Sequence, residues 1–133
     1  MRCLLDTHTF LWTWGQSRRL PEKARHIIEN PANEIFLSAV SLWEIAIKLR
    51  SGRLDLQGKS AADLMNDADI MNINIISLDA AEAATHADLT ENTHFDPFDR
   101  MLIWQAVCRG LILISGDSEF KRFEKHGLKL LWK

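Results

Sequence analysis

The stretch LILISGDSEFKRFEKHGLKLLW, residues 111–132, decides the fold. LILIS (111–115) is an unbroken apolar run of strand length, DSEFKRFEKHG (117–127) reads as a helix, and LKLLW (128–132) is a further apolar strand. A strand that is apolar without alternation is buried on both faces, as parallel strands covered by helices are. Two such strands joined through a helix form a crossover unit, and crossovers are right-handed by default.

The same rhythm extends back to the N-terminus. RCLL (2–5) is a strand ending at Asp6, and FLWTWG (10–15) a short helix closed by Gly15. Pro21 opens PEKARHIIEN, with Ala24, Ile27 and Ile28 on one face, since proline suits a first helical turn. EIFLS (34–38) is the second strand, and VSLWEIAIKLRSG a helix stopped at Gly52, with Leu42, Ile45, Ala46 and Leu49 sharing a face. Residues 60–72 form a helix capped by Ser60, with Asp63 in the capping-box position. NIIS (74–77) is the third strand, DAAEAATHADL (79–89) a helix, and residues 97–109 a helix from Pro97 to Arg109 closed by Gly110. The expectation is an α/β fold: three layers, α/β/α, around a five-stranded, mainly parallel sheet. With no repeat, low-complexity tract or linker, residues 1–133 are expected to form a single domain.

Composition narrows the function classes. The 133 residues are 47% apolar and 26% charged, with a net charge of −2, ordinary values for a globular domain. That is not the footprint of a protein that holds nucleic acid by a basic surface alone. A nucleic-acid substrate would therefore need positive charge from elsewhere at the reacting phosphate, and a divalent metal supplies it. Cys3 and Cys108 each sit in an apolar run and read as buried small hydrophobes of a reducing compartment, without zinc-site spacing. Asp6 interrupts the N-terminus too early for a signal peptide, and the apolar runs fall well short of the roughly 18 residues that span a bilayer. A cytoplasmic location, with no membrane partner, is expected.

The chemistry lies in the acids. In an open α/β sheet the ligand site forms outside the carboxyl ends of the strands. Asp6 ends the first strand, Glu44 lies in the helix after the second, Asp99 in the first turn of the helix before the fourth, and Asp117 two residues beyond the fourth. Each has a structural reading too. Asp6 and Asp117 could be helix N-caps, and Glu44 could pair with Lys48 on a helix surface. Within HFDPFDRMLIWQA (94–106), Pro97 places Asp96 at the N-cap and Asp99 three residues on. Asp96 is expected to shape the turn and Asp99 to point into the site. Four carboxylates on one edge repel one another unless a cation intervenes. An all-oxygen set without cysteine matches Mg²⁺ or Mn²⁺ rather than zinc.

Four blocks, LLDTHTFLW, SAVSLWEIAIK, HFDPFDRMLIWQA and ISGDSEF, followed by a final KLLW, together resemble the PIN domain family, and within it the VapC-like toxins of type II toxin–antitoxin modules. The resemblance spans essentially the whole chain. It implies a metal-dependent endoribonuclease in which Asp6, Glu44, Asp99 and Asp117 are the catalytic acids. Asp6 and Asp99 would contact Mg²⁺ or Mn²⁺ directly, Asp117 would bind the same ion or a second, and Glu44 would act directly or through water. It also implies an RNA substrate, a homodimer and a cognate antitoxin protein whose C-terminal segment lies across the site. Two positions depart from the family pattern: Phe95 stands where arginine is common, and Ser115-Gly116 replaces the commoner Thr-Arg or Thr-Ala before Asp117.

Other residues carry weaker signals. His8 and His94 lie nearest the site but show no ligand spacing, and ordinary hydrogen-bonding roles are expected. Arg100 could bind a phosphate or Asp96. Trp12 and Trp14 cannot share a helix face, so one is expected in the core and the other exposed, at a dimer or antitoxin interface. KRFEK (121–125) reads as a solvated helix face. A haloacid-dehalogenase-type phosphohydrolase would want an aspartate at position 8, where His8 stands, and a receiver domain lacks its phospho-accepting aspartate and late lysine. The non-enzymatic alternative is a PIN-like scaffold that binds RNA or protein without cutting.

Overall fold

The structure is a computed structural model that describes residues 1–94 and 96–133; Phe95, one of the two departures, lies outside them. Five strands, β1 (Arg2–Leu5), β2 (Glu34–Ser38), β3 (Ile73–Ile76), β4 (Ile112–Ile114) and β5 (Lys129–Leu131), form one sheet in the order β3-β2-β1-β4-β5. Every pair is parallel, so the sheet is parallel throughout. The helices are α1 (Thr7–Gly15), α2 (Glu22–Glu29), α3 (Ala39–Arg50), α4 (Ala61–Ile70), α5 (Ala80–Thr85) and α6 (Pro97–Arg109).

Side chains leave a strand on alternate faces, and the core divides accordingly. Leu4, Phe36 and Leu113 pack with Leu102, Ile103 and Ala106 of α6 and with Phe120 and Phe123. Cys3, Leu5, Ile35, Leu37 and Ile114 pack with Phe10, Ala24, Ile45, Leu64 and Ala68 from α1 to α4. Two apolar layers on one sheet account for the unbroken apolar strands and give the expected three layers.

Several local expectations are met by the caps. The Ser60 and Asp63 capping box is present, Asp96 accepts from the Asp99 N–H at the start of α6, and Gly110 closes that helix in the left-handed conformation. Others are corrected. Helix α1 begins at Thr7, before the apolar run, because Asp6 caps it by accepting the Thr9 N–H at 2.8 Å. Residues 118–126 wind as a 3-10 helix (Ser118–His126), in which the buried Phe120 and Phe123 recur every three residues, the period of that helix. The helix expected over 79–89 is α5 followed by a 3-10 turn, His86–Asp88. Cys108 is exposed, because on α6 it lies away from the buried positions Leu102, Ile103 and Ala106.

Helix α6 is anchored by an ion-paired network. The buried Glu82 of α5 accepts from Arg109 Nε at 2.7 Å, Arg109 Nη2 at 2.8 Å and Gln105 Nε2 at 3.0 Å. The Arg109 guanidinium holds the Glu82 carboxyl down at about 2. Among the described residues, no helix is long and apolar enough to cross a membrane.

Candidate active site

The strand order reverses at β1: the chain builds β2 and β3 on one side of it and β4 and β5 on the other. A crevice opens at such a switch point, beyond the carboxyl ends of the strands. The cavity found there has a volume of about 460 Å³, and Asp6, Glu44, Asp99 and Asp117 all line it. The four acids thus face one cavity.

Each acid is held by its own neighbours. Asp6 is buried, and burial pushes its carboxyl up against the opposing hydrogen bonds of Ser115 and Thr9. Glu44, buried on α3, accepts from Thr7 Oγ1 at 2.6 Å through Oε1 and from Lys48 Nζ at 2.5 Å through Oε2. Its two readings are therefore compatible: it pairs with Lys48 and it faces the cavity. Asp99 Oδ2 lies 3.0 Å from His94 Nε2. Desolvation pushes the Asp99 carboxyl up to about 6; the His94 bond opposes this, while the Asp96 and Glu44 charges add to it. Asp117 caps the 3-10 helix through the Glu119 N–H at 2.9 Å, and its own N–H donates to Ser115 Oγ at 3.1 Å. Ser115 thus reaches both aspartates next to it.

The donor set suits a hard cation: four carboxylates in one cavity, one of them raised by burial and by acidic neighbours. The arrangement is not a closed cage. Among the described residues, no group of three or more His, Cys, Asp or Glu side chains is disposed to hold a metal ion. Lys48 balances part of the negative charge that the sequence leaves to a metal alone, and His94 hydrogen-bonds Asp99.

A family model described as the PIN domain matches residues 3–126. The chain belongs to the PIN domain family. Ribonuclease VapC22 of Mycobacterium tuberculosis is 27% identical over 118 residues, covering 89% of this chain and 88% of the relative. Among solved structures, VapBC2 from Rickettsia felis bound to a promoter DNA fragment matches with a TM-score of 0.70 at 18% identity over all of both chains. VapBC-1 from nontypeable Haemophilus influenzae matches with a TM-score of 0.66 at 14% identity, over 98% of this chain and 97% of that one. The shared fold is the PIN-like α/β sandwich.

In this PIN domain several side chains join the site that the sequence did not single out. Asp96 lines the cavity as well as capping α6, and Thr7 and Lys48 line it beside Glu44. His94 was set aside for want of ligand spacing, yet it is the direct partner of Asp99. The only local signal for Lys48 was its position four residues after Glu44; His94, read as lying near the site with an ordinary hydrogen-bonding role, takes that role at Asp99.

Two expectations are corrected. The Arg100 guanidinium reaches neither the Asp96 carboxylate nor an open phosphate position: it donates to the backbone carbonyls of Leu89 (2.7 Å), His94 (2.9 Å) and Glu91. It fastens the segment carrying His94 to α6. Lysine cannot reproduce that fork. Arg100→Lys is expected to cost about 1–3 kcal/mol, seen as a lower urea midpoint with an unchanged slope. Trp12 and Trp14 do not divide into core and surface, since both are half-buried: Trp14 donates to Asp67 at 2.8 Å and Trp12 faces the cavity.

Proposed function

We propose that this PIN domain is a metal-dependent endoribonuclease, the toxin of a type II toxin–antitoxin module, hydrolysing RNA phosphodiester bonds. The observation that carries the reading is the meeting of Asp6, Glu44, Asp99 and Asp117 in one cavity at the switch point of the sheet. The 27% identity to a protein named a ribonuclease, across most of both chains, supports it.

In this reading Asp6, Asp99 and Asp117 would draw together on Mg²⁺ or Mn²⁺ when it binds, since as they stand no three such side chains among the described residues are disposed to hold an ion, and Glu44 would assist directly or through water. A bound ion would supply positive charge to the reacting phosphate and make water a competent nucleophile at neutral pH. The chain's own residues prepare the ground. The Thr9 N–H and Ser115 fix Asp6, His94 orients Asp99, and Thr7 with Lys48 fixes Glu44. Lys48 is also a cation at the cavity wall, placed to meet a phosphate. Among the partners, an antitoxin and a second copy of the chain fit this reading. Trp43 stands exposed on α3, edge-on to Phe98 at 5.2 Å, an aromatic surface of the kind protein interfaces use.

The test is cleavage of single-stranded RNA with Mn²⁺ or Mg²⁺ and with EDTA, alongside calorimetric titration of Mn²⁺. The expected result is metal binding and cleavage that EDTA abolishes. RNA binding without cleavage at any metal concentration would leave the non-catalytic scaffold in its place.

A further inference from the structure

Trp14 and Trp104 are tied into the fold, their indole N–H groups donating to Asp67 and Thr85. Trp12 and Trp132 instead meet each other in the wall of the acid-lined cavity, with ring centroids 6.0 Å apart and planes tilted by 42°. One comes from α1 and the other from just beyond β5, and both are half-buried. Gly116 admits Trp132: a Cβ at that position would stand 2.6 Å from Cε2 and 2.8 Å from Cζ2 of the indole. Any side chain at 116 would displace the ring from this position.

The aromatic wall continues beyond the acids in both directions. Trp132 also lines an adjoining cavity of about 450 Å³ with Lys121 and Lys133. Trp12 lines another of about 480 Å³ with Arg19, whose guanidinium lies 4.6 Å from the Trp12 ring. Cationic and aromatic side chains therefore flank the acids on either side.

Resting on the ribonuclease reading, we propose that Trp12 and Trp132 form a stacking platform for an unpaired base of single-stranded RNA next to the scissile phosphate, with Arg19 on one side and Lys121 and Lys133 on the other taking the flanking phosphates. A chain of net charge −2 has less to gain from the RNA backbone than a strongly basic one. Stacking on indole needs no charge and accepts any base, because every base has a π face.

The test measures RNA binding by fluorescence anisotropy with Mn²⁺ in an Asp6→Asn background, so that the RNA stays whole, with wild-type cleavage followed in parallel. Trp132→Ala is expected to weaken binding about ten- to a hundredfold, Trp132→Phe to retain most of it, and Gly116→Ala to reproduce much of the alanine loss. RNA carrying abasic sites should lose as much on the unaltered platform, a comparison that does not depend on how the variant folds, and nothing further on Trp132→Ala. If wild type cuts RNA while Trp132→Ala and abasic RNA bind unchanged, the platform falls and the nuclease stands. If Trp132→Ala spares RNA binding but loses a protein inhibitor, the surface belongs to that protein and the platform falls. If wild type neither binds nor cuts RNA, both readings fall.

Discussion

Asp6→Asn is expected to reduce metal-stimulated RNA cleavage by about a thousandfold, a barrier increase of roughly 4 kcal/mol, while leaving the circular dichroism spectrum nearly unchanged. Asp6 does two things in this molecule: it caps α1 through the Thr9 N–H and it presents a carboxylate to the cavity. Asparagine is as good an N-cap as aspartate, so the substitution removes the charge and keeps the cap. It also relieves a buried carboxylate whose pKa burial raises, so thermal stability in EDTA should be no lower than that of wild type. Full cleavage by the variant would show that the charge is dispensable. Loss of cleavage together with loss of the helix signal would show that the cap was the part that mattered.

Asp99→Asn separates stability from function more sharply still. The Asp99 carboxyl is raised from 3.8 to about 6, so the folded protein binds its proton more tightly than the unfolded chain does. The sign follows: above pH 6 the folded state carries an ionised group it disfavours, and stability rises as pH falls from 6 towards 3.8. The cost at neutral pH is on the order of 2–3 kcal/mol. In EDTA at pH 8, Asp99→Asn should therefore melt several degrees above wild type. That gap should begin to shrink below pH 6 and close near 3.8, as wild-type Asp99 becomes neutral. Saturating Mn²⁺ should reverse the order, because a ligand stabilises the state that binds it and the variant has lost a donor. Cleavage should fall about as far as in Asp6→Asn. A variant that melts below wild type in EDTA at every pH would show that Asp99 is held by its contacts rather than strained by its charge.

The layer architecture was legible because it rests on local and periodic rules. Unbroken runs such as LILIS and EIFLS mark strands covered on both faces, and the structure covers them with two separate apolar layers. Ser60 with Asp63, and Asp96 before Pro97, act over three residues and were readable for that reason. The limits of this reading are equally physical. The 3-10 winding of residues 118–126 was hidden because charged residues between Phe120 and Phe123 resemble any amphipathic helix until the packing chooses the pitch. The start of α1 was hidden because its first turn is the polar THT segment, which only the Asp6 cap draws into the helix.

The sequence by itself determined the alternation of strands and helices, and through it a parallel sheet with four acids on its carboxyl edge; periodicity and capping act within a few residues and carry that information along the chain. Tertiary structure alone decided what surrounds those acids. Thr7 grips Glu44 only because α1 and α3 meet at the cavity, and His94 reaches Asp99 only because Arg100 fastens its segment to α6. Trp132 meets Trp12 because the strand order returns the last strand to the sheet edge beyond β4, where Gly116 leaves room for a ring. Contacts between elements distant in the chain are set by strand order and packing, which no short-range pattern encodes.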